Sequence, residues 1–463
     1  MMDLLLLILA VILPIVVAGL LLFTIERDAT ILWFAIPLGL LWLGISYIIF
    51  LCWLQLPIIV YCFMNIGAAL FLFGKSKIKS SDIRFPMLSK DRTQNKIEII
   101  TLSMIVIQGI FFIAISYFHP FGTWDAWMIW NVKAIHLMDG NLNYYFNQSV
   151  NNLSHPGYPL LLPAILANLW TLTGSVSQAN PALVAFLFCL SAIGILYVTV
   201  RKLSSFVAFL AVALLIVTPQ FTLQGTSQYA DIPLSVFTLA GCCLLFLNSG
   251  HCQRNVFKMV LSGILLGSGL LLKNEGVLIV VAFAVSYLVM TILRKWSLKN
   301  FLFIGAGILP FAVALIYYKM HVPSQDHLQA IRWNLDLLNH IATNAPLTIS
   351  YYFKNALRFW EPIALVFLFY VIFKPKIKIN ETSVFLFLMI GIILSGYTSI
   401  YLIVDNPEFL LSTSSKRLIM HIYPILILAL VNLVKDFDNF LFFPQPQTPT
   451  GTISNTFPSG SLK

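Results

Sequence analysis

Asp125 stands between Trp124 and Trp127 in the stretch 118–133, FHPFGTWDAWMIWNVK, directly behind an apolar run over 97–117. A carboxylate at the edge of hydrocarbon is costly, and one that is kept there has a partner or a task. The task open to it is general-base chemistry, taking a proton from a hydroxyl nucleophile in a pocket walled by the two tryptophans. The alternative is a solvated acid at a bilayer surface, with the tryptophans in an aromatic belt. The residues alone leave these two readings even.

Other stretches put polar residues where chemistry can use them. Asp231, in SQYADIPLS two residues after Tyr229, either caps a helix whose first turn holds Pro233 or shares a site with Asp125. Lys273 and Glu275, in LLKNEGV, either neutralise one another in a wet turn or present an ammonium to a phosphate. Lys416 and Arg417, in STSSKRLIMHIYP, either snorkel to headgroups or hold an anion. His155 and Tyr158 lie in NLSHPGYPLLLP, a turn in which His155 reads most simply as a local hydrogen-bonding residue. Lys133 closes the first stretch. No pair of His, Asp or Glu has a metal-ligand spacing, and there is no glycine loop of the nucleotide-binding kinds. An activated substrate therefore comes from the membrane or from its exoplasmic side.

The elements that must position these residues are membrane helices. Of 463 residues 59% are hydrophobic and only 10% charged, against about 25% charged in soluble domains. The fold class is an all-α polytopic membrane protein. With ~20 residues needed per crossing, about thirteen transmembrane helices are predicted, over 4–24, 31–53, 56–73, 98–117, 181–199, 204–218, 232–248, 257–272, 277–293, 300–319, 361–373, 384–404 and 417–434. The first reads as a retained helix, since it lacks a basic n-region and a cleavage site. The segment 158–172 is too short to span and holds Pro159 and Pro163, so a re-entrant or interfacial helix is expected.

The net charge of +10 does not indicate a nucleic-acid partner, because the basic residues gather in short loops. Seven fall within 74–96, where membrane lipids of anionic headgroup are a sufficient partner. That loop, Arg201 with Lys202, Arg254 with Lys258, Arg294 with Lys295 and Lys299, and Lys374 with Lys376 and Lys378 all fall on one side of the predicted spans. The same parity puts 118–180, 219–231, 273–276, 320–360 and 405–416 on the opposite, exoplasmic side, with every candidate residue in or beside them. The six cysteines have no CxxC spacing and read as packing residues. The tail from 444 onward, rich in Pro, Thr, Ser and Gly, is expected to be disordered.

In that order and on that side, these motifs resemble the GT-C superfamily of membrane glycosyltransferases, glycosyltransferase family 39-like. The likeness is to bacterial relatives of protein O-mannosyltransferases and of lipid A aminoarabinose transferase. WDAW resembles the family's acidic motif in the first exoplasmic loop, and HPGYPLLLP its proline-rich apolar segment. QYADIPLS resembles its second acidic site, LLKNEGV its basic turn, and Lys416-Arg417 its late basic position. The resemblance covers about 97–434 and implies a GT-C-like catalytic core there with interfacial helices in the first large loop; outside it the spans leave three extra N-terminal helices and a basic cytoplasmic loop over 1–96, and a short cytoplasmic tail over 435–463. It departs from the family in those extra helices, in having WDAW rather than paired acids, and in lacking a large soluble C-terminal domain.

What the resemblance implies is transfer of a sugar, with inversion, from a polyprenyl-phosphate donor to an exoplasmic acceptor, in a bacterial inner membrane. Asp125 and Asp231 would be catalytic, with Asp125 the base. Lys273, Lys416 and Arg417 would bind the donor phosphate. Trp124, Trp127, Lys133, His155, Tyr158, Tyr229 and Glu275 would contact substrates. No cofactor is implied, and metal independence is favoured. The rival reading is a transporter or flippase of a lipid-linked saccharide. Such a protein calls for ionisable residues at mid-membrane and broken helices, whereas these charges cluster at helix ends.

Overall fold

A computed structural model describes residues 2–25, 29–76, 92–138, 141–149, 153–247, 255–322, 336–358, 360–374, 376–404 and 407–435. The tail beyond 435, most of the basic loop 74–96, Arg254 and Cys252 lie outside the described residues. In lipid every backbone N–H and C=O must be satisfied within the protein, and helices do this within one segment. The helices are α1 (Met2–Ile25), α2 (Ala35–Ser46), α3 (Ile58–Ser76), α4 (Arg92–Phe118), α5 (Val132–Met138), α6 (Leu142–Tyr144), α7 (Leu161–Thr173), α8 (Ala179–Arg201) and α9 (Ser205–Val217). There follow α10 (Pro219–Thr226), α11 (Asp231–Phe246), α12 (Val256–Ser268), α13 (Glu275–Ile292), α14 (Leu298–His321), α15 (Asp336–Arg358), α16 (Trp360–Phe373), α17 (Glu381–Ile403) and α18 (Pro407–Leu433). The strand pairing among the described residues is one short antiparallel contact, with Ile377 opposite Val434.

Against about thirteen predicted spans, eight helices among the described residues are long and apolar enough to cross a membrane, or nine if α9 and α10, bent by 61°, are one span. The difference comes from short helices. α11 has 16 residues, about 24 Å at 1.5 Å per residue, which is less than the ~30 Å hydrocarbon core. α12 with its 3-10 extension Gly269–Leu271, and α16 with 14 residues, are short in the same way.

Burial sorts the helices. α11 is apolar all round, and every residue but its last is buried, as an apolar helix in the middle of a bundle must be. It packs among α8, α12 and α18. The equally apolar α3 and α14 show only 11% and 22% of their spans buried inside the protein, the burial expected of helices facing lipid. The segment predicted as re-entrant or interfacial contains α7, whose residues from Leu161 to Trp170 are all buried. It packs against α2 and α5, and Asn168 Nδ2 donates to the Leu43 carbonyl and the Tyr61 hydroxyl, both at 2.7 Å. The first three helices are thereby tied to the loop region that follows α4.

Candidate active site

Asp125 lies one residue into a helical stretch that starts at Trp124 and continues through a π-helical segment (Ala126–Asn131) into α5. The turn before it requires Gly122, whose φ is +75° and whose Cβ, if present, would stand 2.4 Å from the Ser227 carbonyl oxygen. That close approach joins the turn to the loop ahead of α11. Thr123 Oγ1 donates to the Tyr229 hydroxyl at 2.6 Å, and Gln228 Nε2 donates to the Pro120 carbonyl at 3.2 Å. Asp125 follows one loop and Asp231 the other, so locking the loops together brings two sequence-distant acids side by side.

Asp231 opens α11 and is fully buried. A buried carboxylate is tolerable only when paired and hydrogen-bonded. Its Oδ1 faces Lys273 Nζ at 3.0 Å and His421 Nε2 at 2.6 Å. Its Oδ2 accepts from Arg417 Nε at 3.1 Å and Nη2 at 3.0 Å. Arg417 and His421 reach it together because residues four apart on α18 share a face. Behind His421, Nδ1 meets the Tyr397 hydroxyl of α17 at 2.8 Å.

Arg417 also reaches across the cleft. Its Nη1 is 2.7 Å from Asp125 Oδ2, and the Tyr229 ring lies 4.3 Å from its guanidinium carbon, a cation–π distance. Lys273 bridges in the same way, with Glu275 Oε1 at 3.1 Å. Its turn closes on Gly276, where a Cβ would stand 2.2 Å from the Gly269 carbonyl oxygen. Burial works against the Lys273 ammonium, but the Asp231 and then the Glu275 carboxylates outweigh it and hold its pKa above the ordinary lysine value.

Tyr158 forms the floor beside Lys273, whose Nζ is 5.8 Å from its ring centre. The Glu275 charge, and next burial, push the Tyr158 hydroxyl pKa up. The ring is stacked with both Trp130 at 5.5 Å and His155 at 5.3 Å. Lys133 is fully buried, and its Nζ donates to the carbonyls of His155 at 2.7 Å and Tyr158 at 2.8 Å. Burial, and secondarily the charge of Lys319, lower the Lys133 pKa to about 7. Tyr318 adds donations to the carbonyls of Pro156 at 2.6 Å and Tyr158 at 2.9 Å.

Thus Asp125, Asp231, Lys273, Glu275 and Arg417 come into one cluster, with Tyr158 and Tyr229 as its aromatic walls. Trp124 and Trp127 are 54% and 51% exposed beside Asp125. His155 is exposed on the outer side of Tyr158. Lys133 faces backbone behind Tyr158 rather than the open side of the cluster. Lys416 is half-buried next to Arg417, about 100° around the helix from it. Sequence reasoning passed over His421, Tyr397, Tyr318, Trp130 and Thr123. Only His421 carried a signal, its four-residue spacing from Arg417. Among the described residues no three of His, Cys, Asp and Glu stand close enough to hold a metal ion.

Residues 154–318 match the model of the family described as dolichyl-phosphate-mannose-protein mannosyltransferase. The match covers less than half of the chain, includes Tyr158, Asp231 and Lys273, and is consistent with a GT-C glycosyltransferase. No curated protein and no solved structure matches the chain.

Proposed function

We propose that this integral membrane protein is a glycosyltransferase that moves a sugar from a polyprenyl-phosphate donor to a hydroxyl acceptor at the exoplasmic face. One observation carries the reading. Carboxylates and cations from four separate parts of the chain converge at one end of the helix bundle, with a partly exposed acid, Asp125, at the rim. Convergence from so far apart in sequence is what a reaction centre needs and what membrane anchoring does not. The family match over 154–318 supports the same chemistry.

In this reading the acceptor hydroxyl attacks the anomeric carbon while the bond from that carbon to the phosphate oxygen breaks, inverting the configuration. Asp125 takes the hydroxyl proton. The leaving phosphate gathers negative charge, and Arg417 and Lys273 are fixed cations beside it, where preorganised charge is most effective. Asp231 acts through others. Surrounded by Lys273, Arg417 and His421, it is an anchor that aims the two cations, whereas Asp125 is placed to accept a proton. Trp124 and Trp127, exposed beside Asp125, offer ring faces to sugars, while Tyr158, already stacked with Trp130 and His155, and Tyr229, under Arg417, wall the site.

The isoprenoid chain of the donor also has a berth. A groove of about 390 Å³ runs between α4, α9, α16 and α18, with a wholly apolar lining that includes Met104, Leu210, Val217, Phe369 and Val434. Next to Val217, Thr218 Oγ1 bonds the Tyr423 hydroxyl at 2.6 Å. Tyr423 is six residues along α18 from Arg417, about 9 Å of helix. A phosphate at Arg417 and a chain in the groove are therefore compatible in one molecule. Asp125, Asp231, Lys273 and Glu275 stand at helix starts, which favours the enzyme over a transporter of the same lipid; Arg417 and His421, expected at the mouth of a span over 417–434, lie ten and fourteen residues into α18, which starts at Pro407.

The test is mass analysis of lipid-linked sugars and envelope glycans from cells with and without the protein. Loss of the protein is expected to accumulate a polyprenyl-phosphate sugar and to remove that sugar from a glycan. Asp125→Asn, expressed at normal level, is expected to leave the defect in place, with transfer reduced by roughly 10²–10⁴-fold, the usual scale for a general base. Full rescue by that variant removes Asp125 as the base, and unchanged pools in both strains remove the enzyme reading.

A further inference from the structure

Both cations assigned above to the donor phosphate are already engaged by carboxylates. Lys273 is shared between Asp231 and Glu275, and Arg417 between Asp231 and Asp125. A phosphate arriving at this cluster must compete for a cation, and the four joints differ in how readily they yield.

Asp231 cannot turn away. It is fully buried, and moving its carboxylate would strip partners from Lys273, His421 and two nitrogens of Arg417 together. Asp125 is differently held. Its side chain is 17% exposed, and the contact with Arg417 Nη1 is the carboxylate's one ion pair among the described residues. Its main chain is secured separately, by the helix it begins and by the Tyr229 hydroxyl at 3.4 Å from its backbone nitrogen. Arg417 likewise keeps Asp231 and the Tyr229 ring if Nη1 is released. The Asp125–Arg417 contact can therefore open by rotation of one short side chain, with nothing else displaced.

We propose that this ion pair is a latch opened by the phosphate of the donor. A phosphate oxygen takes Nη1 of Arg417, one ion pair is exchanged for another, and the Asp125 carboxylate is freed to accept the proton of the acceptor hydroxyl. The order of events follows: the base is masked until the donor is seated, so donor binding precedes acceptor activation. This rests on the reading of Arg417 as a phosphate ligand and Asp125 as the base.

The latch makes a prediction opposite to the usual expectation for a site mutation. Removing the catalytic acid should tighten binding of the lipid phosphate. The full chain in nanodiscs is titrated with farnesyl phosphate, with farnesol as the uncharged control, for Asp125→Asn and, as a second variant with a different side chain, Asp125→Ala. Affinity for farnesyl phosphate is expected to rise about tenfold, equivalent to about 1.4 kcal/mol, with farnesol unaffected. In an Arg417→Lys background, where the cation beside Asp231 is kept but the two-armed fork is lost, the gain should shrink to within about twofold, as a double-mutant cycle reads directly. Unchanged or weaker binding in both Asp125 variants overturns the latch. An equal gain in both backgrounds also overturns it, since that is simple removal of a like charge. Wild-type protein that binds farnesyl phosphate no better than farnesol instead overturns the phosphate-site reading itself.

Discussion

The two ends of the helix bundle treat charge in opposite ways. α13 shows both: Glu275 opens it beside Lys273, and Lys295 follows its other end. At the first end Lys273 and Asp231 are 3% and 0% exposed and belong to a cluster drawn from several elements. At the other end Lys295 meets Glu381 at 3.6 Å with side chains 53% and 48% exposed, while Arg201 and Glu98 form a single, partly buried pair between α8 and α4. The residue types are the same and the energetics are not. An exposed pair gains little because water screens it, while a buried charge is tolerated only through its partners, so removing one leaves the others stranded. The Lys295–Glu381 pair is incidental to the fold, and charge at the site end is interlocked.

Three measurements sharpen or break this contrast. The largest effect is expected for Asp231→Asn, which keeps the shape but leaves two buried cations with less anion. Loss of roughly 3–5 kcal/mol of stability is expected from breaking a buried ion pair, read as a fall in thermal midpoint and folded yield in detergent. A change within ~1 kcal/mol would put the site end on the same footing as the surface.

An effect of up to similar size, but confined to alkaline pH, concerns Lys133, buried at the site end with a pKa near 7, against about 10.4 in an unfolded chain. Between those values the unfolded chain holds the extra proton. Stability should therefore rise with pH from about 7 toward 10, by up to about 1.4 kcal/mol per unit. Unfolding midpoints across that range should show the rise in the wild type and its loss in Lys133→Met. Equal slopes in the two proteins would mean that the lysine is not held neutral. The smallest effect is expected for Lys295→Ala, within about 1 kcal/mol as for other exposed pairs. A clearly larger loss in chemical denaturation would erase the distinction between the two ends.

Much of this was legible from the residues. Long apolar runs broken by basic loops already require membrane helices, because no other segment type satisfies its own backbone in lipid. Asp125, Asp231, Lys273 and Glu275 could each be picked out as charges at helix ends in a chain that has few charges, and Arg417 as one at the predicted start of a span that in fact begins ten residues earlier, at Pro407. Their alternatives could not be separated, since a capping aspartate and a site aspartate read alike in DIPLS. α7 was harder, as its apolar composition is common to an interfacial segment and a core helix, and only its neighbours distinguish the two. Hydropathy counts about thirteen apolar segments, and it does not register that α11 and α12 are shorter than the eight or nine described helices long enough to cross the hydrocarbon by themselves.

Sequence by itself determined the material of the protein: which segments are helical, which loops carry charge, and which few acids and bases stand where hydrocarbon meets water. Those follow from local composition and period. Tertiary structure decided the partnerships. It put Arg417 between two acids, set His421 against Asp231 across 190 positions, and turned Lys133 away from the cluster onto two carbonyls. Such contacts depend on how α11 packs against α18 and against the turn Gly269–Leu271 ahead of α13, and helix packing is a property of whole faces that no local spacing encodes.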